Sequence, residues 1–176
     1  MDLFRKHGYE RTTIQDICTA TDMSSGSIYH YFGSKEGILE YAIHDLDQYV
    51  IDLDKVEEKI NAPFETIMEF ARAIASYWES LGPDLAAQLT LPYRKTQYTD
   101  DARFKGMPST DSLKAYIGAC QQVGTFSDEL SSEDAAEFLL SIGRGQILDW
   151  CYFQGRYSLL DKVEWIYPHV LRSFLK

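Results

Sequence analysis

Apolar residues recur at helical spacing along most of the chain, and after residue 40 no stretch alternates convincingly enough to predict a strand. Ile14, Ile17 and Cys18 fall at i, i+3 and i+4 and form one apolar face of a short helix. Thr12 or Thr13 can cap it, with Gln15 or Asp16 at the reciprocal position of a capping box. Ser24 and Ser25 are N-caps for a second short helix, in which Ile28 and Phe32 point inward together. Gly33-Ser34 breaks that helix, and Ser34 opens a third one expected to reach Leu53. Farther on, Pro63 marks a helix start. Phe64, Ile67, Met68, Ala71, Ile74, Ala75, Trp78 and Leu81 follow at helical spacing until Gly82-Pro83. Shorter helices are predicted over 84–98 and 110–122, around a loop at 99–109 that holds Gly106 and Pro108. Ser131 or Ser132 caps a long helix through Gly155, and a last helix runs from Leu159 to Lys176 with a bend at Pro168. The pattern predicts an all-α protein of about nine helices.

The first two short helices, joined by a tight turn, have the layout of a helix-turn-helix DNA reader. The second is too short and too polar on its outer side to be a core element. At about 100° per residue, Gly26, Ser27 and His30 face away from the core, with Tyr29 and Tyr31 on the flanks. The three consecutive residues Tyr29, His30 and Tyr31 span roughly 200° of the helix and cannot all be buried. Hydroxyl, phenol and imidazole groups suit hydrogen bonding to bases and phosphates. Gly26 lets backbone approach a groove closely, and the helix N-terminus offers partial positive charge to phosphate.

Leu3-Phe4, Gly8-Tyr9, Thr12-Thr13, Ile17, Ser27-Ile28-Tyr29-His30-Tyr31-Phe32, Ser34-Lys35-Glu36 and Leu39 resemble the DNA-binding domain of the tetracycline-repressor (TetR) family of bacterial regulators. The resemblance covers residues 1 to about 45 and is densest at 27–39. It implies a three-helix helix-turn-helix DNA-binding domain over 1–45. A helical-bundle domain for effector binding and dimerisation would then occupy 46–176. Carried over by position, it implies DNA contacts from Ser25, Ser27, Tyr29, His30, Tyr31 and Lys35, beside Gly26. Thr13 and Gln15, at the start of the preceding helix, are expected at phosphate or the groove edge. Two positions depart from the family pattern: Met23 stands where the turn usually has valine, and Asp22 where glycine is common. The family's first helix has further turns before the residues matching Leu3-Phe4. The first helix here is therefore expected to be cut short, and DNA affinity to suffer.

Charge refines this picture. The net charge is −10, but the first 40 residues hold four basic and six acidic side chains, so most of the acidic excess lies farther on. A reader that is not basic neutralises few phosphates, and dimerisation is expected to supply the missing affinity. Apolar residues go almost all the way round the helix that carries Phe138, Leu139, Leu140, Ile142, Ile147, Leu148, Trp150 and Phe153. Such a surface must be covered on more than one side. Val163, Ile166, Tyr167, Val170, Leu171 and Phe174 form another wide stripe, and Gly143 and Gly145 would permit close approach of a neighbouring helix. The last two helices are therefore expected to meet their copies as a four-helix bundle, building a homodimer. The TetR resemblance implies the same.

Aromatic residues in the middle of the chain alternate with polar groups able to orient a ligand, including Gln88, Arg94, Gln97, Gln121, Arg144 and Gln146. Pockets between bundle helices are built this way. Tyr77, Trp78, Tyr93, Arg94, Tyr116, Gln146 and Trp150 are the candidate ligand contacts, and the resemblance implies a small effector, here apolar or aromatic. No Gly-rich phosphate loop or G-x-S-x-G elbow is present. His7, His30, His44 and His169 have no close partner at metal-ligand spacing. No catalysis, cofactor or metal is expected. Cys18, Cys120 and Cys151 are odd in number and far apart, which suits reduced thiols in a cytoplasm. The reading is an effector-responsive dimeric transcriptional regulator, a repressor on a near-palindromic operator. The alternative is a helical small-molecule binder with weak or lost DNA affinity.

Overall fold

The computed structural model describes residues 2–44, 56–90 and 108–175. Among them are ten helices: α1 (Asp2–His7), α2 (Ile14–Thr21), α3 (Ser25–Phe32), α4 (Lys35–His44), α5 (Val56–Lys59), α6 (Pro63–Leu81), α7 (Pro83–Thr90), α8 (Pro108–Val123), α9 (Ser132–Tyr152) and α10 (Leu159–Leu171). The architecture is all-α, as the periodicity predicts. Helix α5 is the one the pattern did not predict, because a single turn is too short to leave a periodic signature. The expected reach of α4 to Leu53 and of α7 to Tyr98, and most of the loop over 99–109, lie outside the described residues. Ser109 belongs to α8 and not to a loop, since Pro108 sets the first turn of that helix.

The larger part of the molecule is a bundle in which α6 packs along α10, and α9 lies against α8, α7, α10 and α6. Helix α6 contributes Ile67, Met68, Ala71, Ala75, Trp78 and Leu81, all buried. Leu159, Val163, Tyr167 and Leu171, four residues apart, form the facing ridge of α10. Glu79 of α6 reaches across to accept hydrogen bonds from the Leu159 and Leu160 N–H groups. It thereby satisfies orphan donors at the start of α10. The same helix is capped locally by Ser158, which accepts from the Asp161 N–H.

Two helix ends differ from expectation. Helix α9 stops at Tyr152 rather than Gly155, because Gln154 and Gly155 adopt φ values of 53° and 69°. The Gly155 N–H closes back on the Trp150 carbonyl at 2.9 Å. Helix α10 stops at Leu171 rather than Lys176. Pro168 removes a ladder donor in its last turn. Phe174 then stacks on Phe126 with ring centroids 5.3 Å apart, and the Ser127 N–H donates to the Phe174 carbonyl at 2.6 Å. The end of the chain is thus drawn onto the α8–α9 connection by a long-range contact.

Gly143 serves the fold of one subunit: a Cβ there would sit 3.0 Å from the Tyr167 hydroxyl, which donates to the Leu139 carbonyl. Gly145 is different. It is exposed and has nothing within 4 Å of an added Cβ. Beside it on the outer side of α9 are Phe138, 48% exposed, Leu148, 41%, and Tyr152, 81%. The helical reader joins this bundle through α4, which packs on α7. At the α5–α6 corner, the Tyr116 hydroxyl donates to the Lys59 carbonyl at 2.7 Å and the Thr125 hydroxyl to the Ile60 carbonyl at 2.9 Å.

Candidate nucleic-acid interface

Helix α2 begins in a complete capping box. The Asp16 N–H donates to the Thr13 hydroxyl oxygen at 3.2 Å, and the Thr13 N–H donates to the Asp16 carboxylate at 2.8 Å. The Thr13 N–H bond is the main cause that holds the Asp16 carboxyl below its ordinary range. Thr13 and not Thr12 is therefore the cap. Thr12 is buried, its hydroxyl given to the Gly8 carbonyl at 2.8 Å. Asp22 ends α2 with φ 55°, ψ 27°, the left-handed conformation that explains why glycine is common there. Asp enters this region more readily than most side chains, so the departure is accommodated.

Ser24 caps α3 by accepting from the Ser27 N–H at 3.0 Å, and the two serine hydroxyls are 2.9 Å apart. Ile28 is the buried anchor of α3, 1% exposed, with Phe32 half-buried behind it. The opposite face carries exposed Ser25, Gly26, Tyr29, His30 and Tyr31, with Ser27 half-buried. Tyr29 is 53% and Tyr31 72% exposed. Thr13 and Gln15, at the start of α2, are also exposed. At Gly26 an added Cβ would meet only the Ser24 hydroxyl at 3.7 Å, so the fold of the reader does not require glycine there.

Lys35 is half-buried, its ammonium 4.1 Å from the centre of the Tyr9 ring. The Tyr9 hydroxyl donates to Glu36 at 3.1 Å. Burial, and then this carboxylate, push the Tyr9 phenol well above its usual value. Glu36 is held low by its own backbone N–H, then by bonds from Ser34 and Tyr9. Tyr9 is thus a positioning residue for the Lys35 turn that the charge pattern alone did not reveal, although Gly8-Tyr9 stands among the motif residues.

The candidate ligand contacts are less uniformly placed. Tyr77, Trp78, Tyr116, Gln146 and Trp150 are all buried in the bundle. Tyr93 and Arg94 lie outside the described residues. The Tyr116 hydroxyl is committed to Lys59, and the Trp150 indole N–H donates to the Tyr157 carbonyl at 2.8 Å. Gln146 keeps its Nε2 buried with no hydrogen-bond acceptor. No group of three or more metal-ligating side chains occurs among the described residues, and none of their helices is long and apolar enough to cross a membrane.

Residues 1–42 match the model of the bacterial regulatory proteins of the tetR family. The probable acrEF/envCD operon repressor of Escherichia coli K12 is 24% identical over 98% of this chain and 81% of its own length. Among solved structures, the TetR family transcriptional regulator PfmR of Thermus thermophilus superposes with a TM-score of 0.63 at 23% identity, over 97% of this chain and 93% of that one. FadR of Bacillus subtilis, solved in complex with stearoyl-CoA, gives 0.67 at 18% identity, over 97% and 92%. Over its capped helix-turn-helix the chain matches the tetR family, and with the all-α architecture of the described residues it is similar throughout to DNA-binding transcriptional regulators of that kind.

Proposed function

We propose that the chain is a dimeric repressor whose two readers occupy successive major grooves of a near-palindromic operator, and that a small effector in the helical domain releases it. The observation that carries this is the outer face of α3, where Tyr29, His30 and Tyr31 are all exposed beside a glycine the fold does not need. In this reading Ser25, Ser27, Tyr29, His30 and Tyr31 touch bases and phosphates, Gly26 admits close backbone approach, and Lys35, Thr13 and Gln15 hold phosphate. The reader occupies 1–45 and the effector and dimerisation domain 46–176. The setting is the cytoplasm, and no catalytic role is assigned. The exposed Phe138, Leu148 and Tyr152 around Gly145 support dimerisation through α9 and α10. The repressor named among the relatives supports repression, and the stearoyl-CoA complex of FadR supports a ligand in the bundle.

The mechanism is a shift between two populations. The effector must bind the operator-incompetent arrangement more tightly than the competent one, and its differential affinity sets the size of the release. The packing of α4 on α7 and the bonds from α8 to the α5–α6 corner are the connections through which the bundle biases the reader. Enrichment of duplexes from a random pool tests the function. The expected product is an inverted repeat with half-sites separated by about one or more helical turns of DNA, bound with strong salt dependence. Failure to enrich any sequence over the starting pool would leave the small-molecule-binding alternative.

A further inference from the structure

We infer that Gln146 is the polar anchor of the effector site, and that the effector presents to it an uncharged hydrogen-bond acceptor, such as a ketone, ester or amide carbonyl, on an apolar body. The inference rests on the proposed reading that the helical domain binds a small molecule. Gln146 lies on the inward face of α9 with Leu139, Gly143, Ile147 and Trp150, and is only 9% exposed. Its Nε2 has no acceptor. A buried amide donor without a partner costs stability that an apolar side chain of the same shape would not. Binding sites retain such groups because the ligand supplies the partner.

Two of the other polar groups expected to orient a ligand, Gln121 and Arg144, are engaged elsewhere. Gln121 donates to the Ser127 and Leu130 carbonyls, and Arg144 is paired with Glu137 at 2.6 Å. The ligand's own charge follows from the surroundings. Among the described residues the buried polar side chains are Thr12, Thr66, Ser109, Ser112 and Gln146, so no Asp, Glu, Lys or Arg is buried. Thr66 and Ser112 give their hydroxyls to the Ala62 and Ser109 carbonyls. A carboxylate buried here would lack a cation among these side chains and would bear its full desolvation cost. A neutral carbonyl on an apolar body meets the Gln146 donor and apolar walls without that cost.

The test uses the full chain with 2-octanone, octane and octanoate, each titrated by calorimetry and by tryptophan fluorescence. For wild type the expected order is 2-octanone tightest, with octanoate at least about tenfold weaker. Replacing Gln146 by Met should weaken 2-octanone about tenfold, the loss of one hydrogen bond, and leave octane unchanged. In the free protein Gln146→Met should melt at the same temperature or higher. A lower melting temperature would mean that the amide has a structural partner and would overturn the inference. So would equal 2-octanone affinity in the two proteins, tighter binding of octanoate, or no saturable binding of the ketone. DNA enrichment is a separate readout: its success with failure here sinks only the anchor, and the reverse sinks only the repressor reading.

Discussion

A Cβ built on Gly37 would lie 1.8 Å from the Phe32 carbonyl oxygen, where the first turn of α4 crosses the end of α3. Backbone cannot yield as a flexible side chain does. Gly37→Ala should therefore destabilise the protein by about 3 kcal/mol, the upper range for overpacking, and lower its melting temperature. Gly26 has the opposite character, since an added methyl meets only the Ser24 hydroxyl at 3.7 Å. Gly26→Ala should stabilise α3 by up to about 1 kcal/mol while weakening DNA binding, because the methyl would stand between backbone and groove. Thermal melts and DNA titrations of both variants check this. Unchanged DNA affinity in Gly26→Ala would remove close backbone approach from the proposed mechanism. The thiols allow a second residue-level expectation. Burial, and then the charge of Asp84, push Cys151 up to about 11, and burial also raises Cys120. At pH 8 Cys151 is then thiolate in roughly one molecule in a thousand, so its alkylation should be slow and should rise about tenfold per pH unit until pH approaches that value. Fast alkylation of Cys151 at pH 8, mapped by mass spectrometry, would contradict the burial assigned to it.

Tyr29 and Lys35 stand on different elements of the reader, and their replacement separates two modes of binding. Tyr29→Ala removes a half-exposed ring from the outer face of α3 and should weaken binding to the enriched sequence with little change in salt slope. Lys35→Ala, at the start of α4, should weaken all duplexes and make the salt dependence shallower by about one unit. Affinities over a salt series, with circular dichroism to verify the fold, decide it. Affinity and slope at wild-type values in both folded variants would count against the proposed interface. The starts of these elements were legible because capping is local chemistry: Thr13, Ser24 and Ser131 each accept from an N–H three residues on. Pro63 and Gly82 bound α6 just as their backbone preferences require. What could not be seen depends on contacts distant in sequence. The end of α10 is decided by Phe174 meeting Phe126, and the Lys35 position by Tyr9. Periodicity also gives the angle of a residue on α9 but not what stands opposite it. It left Gly143 and Gly145 equivalent, although one faces Tyr167 and the other solvent. It could not single out Gln146, because an unpaired donor is defined by what is missing around it.

For the whole molecule, the apolar surface of α9 divides between its own core and an outer face, and this division makes the proposed dimer testable. Ile147 is 7% exposed and belongs to the core, whereas its neighbour Leu148 is 41% exposed on the side of Phe138, Gly145 and Tyr152. Glutamate at the two positions should therefore have different consequences. Ile147→Glu buries a carboxylate with no cation partner and should unfold the subunit. Leu148→Glu leaves the core intact but places a charge in the apolar patch, twice over in a symmetric pair. It should keep the far-ultraviolet dichroism of wild type while weakening self-association at least about a hundredfold, two lost side-chain burials at roughly 1.5–3 kcal/mol each. The first 40 residues hold only four basic side chains, so a single reader neutralises few phosphates. Monomeric Leu148→Glu should accordingly bind the enriched duplex with about half the salt slope of wild type and far lower affinity. Sedimentation velocity of wild type and Leu148→Glu, followed by DNA titration at several salt concentrations, tests both steps. A Leu148→Glu protein that remains dimeric and binds as wild type would show that the outer face of α9 is not the surface on which the two readers are joined.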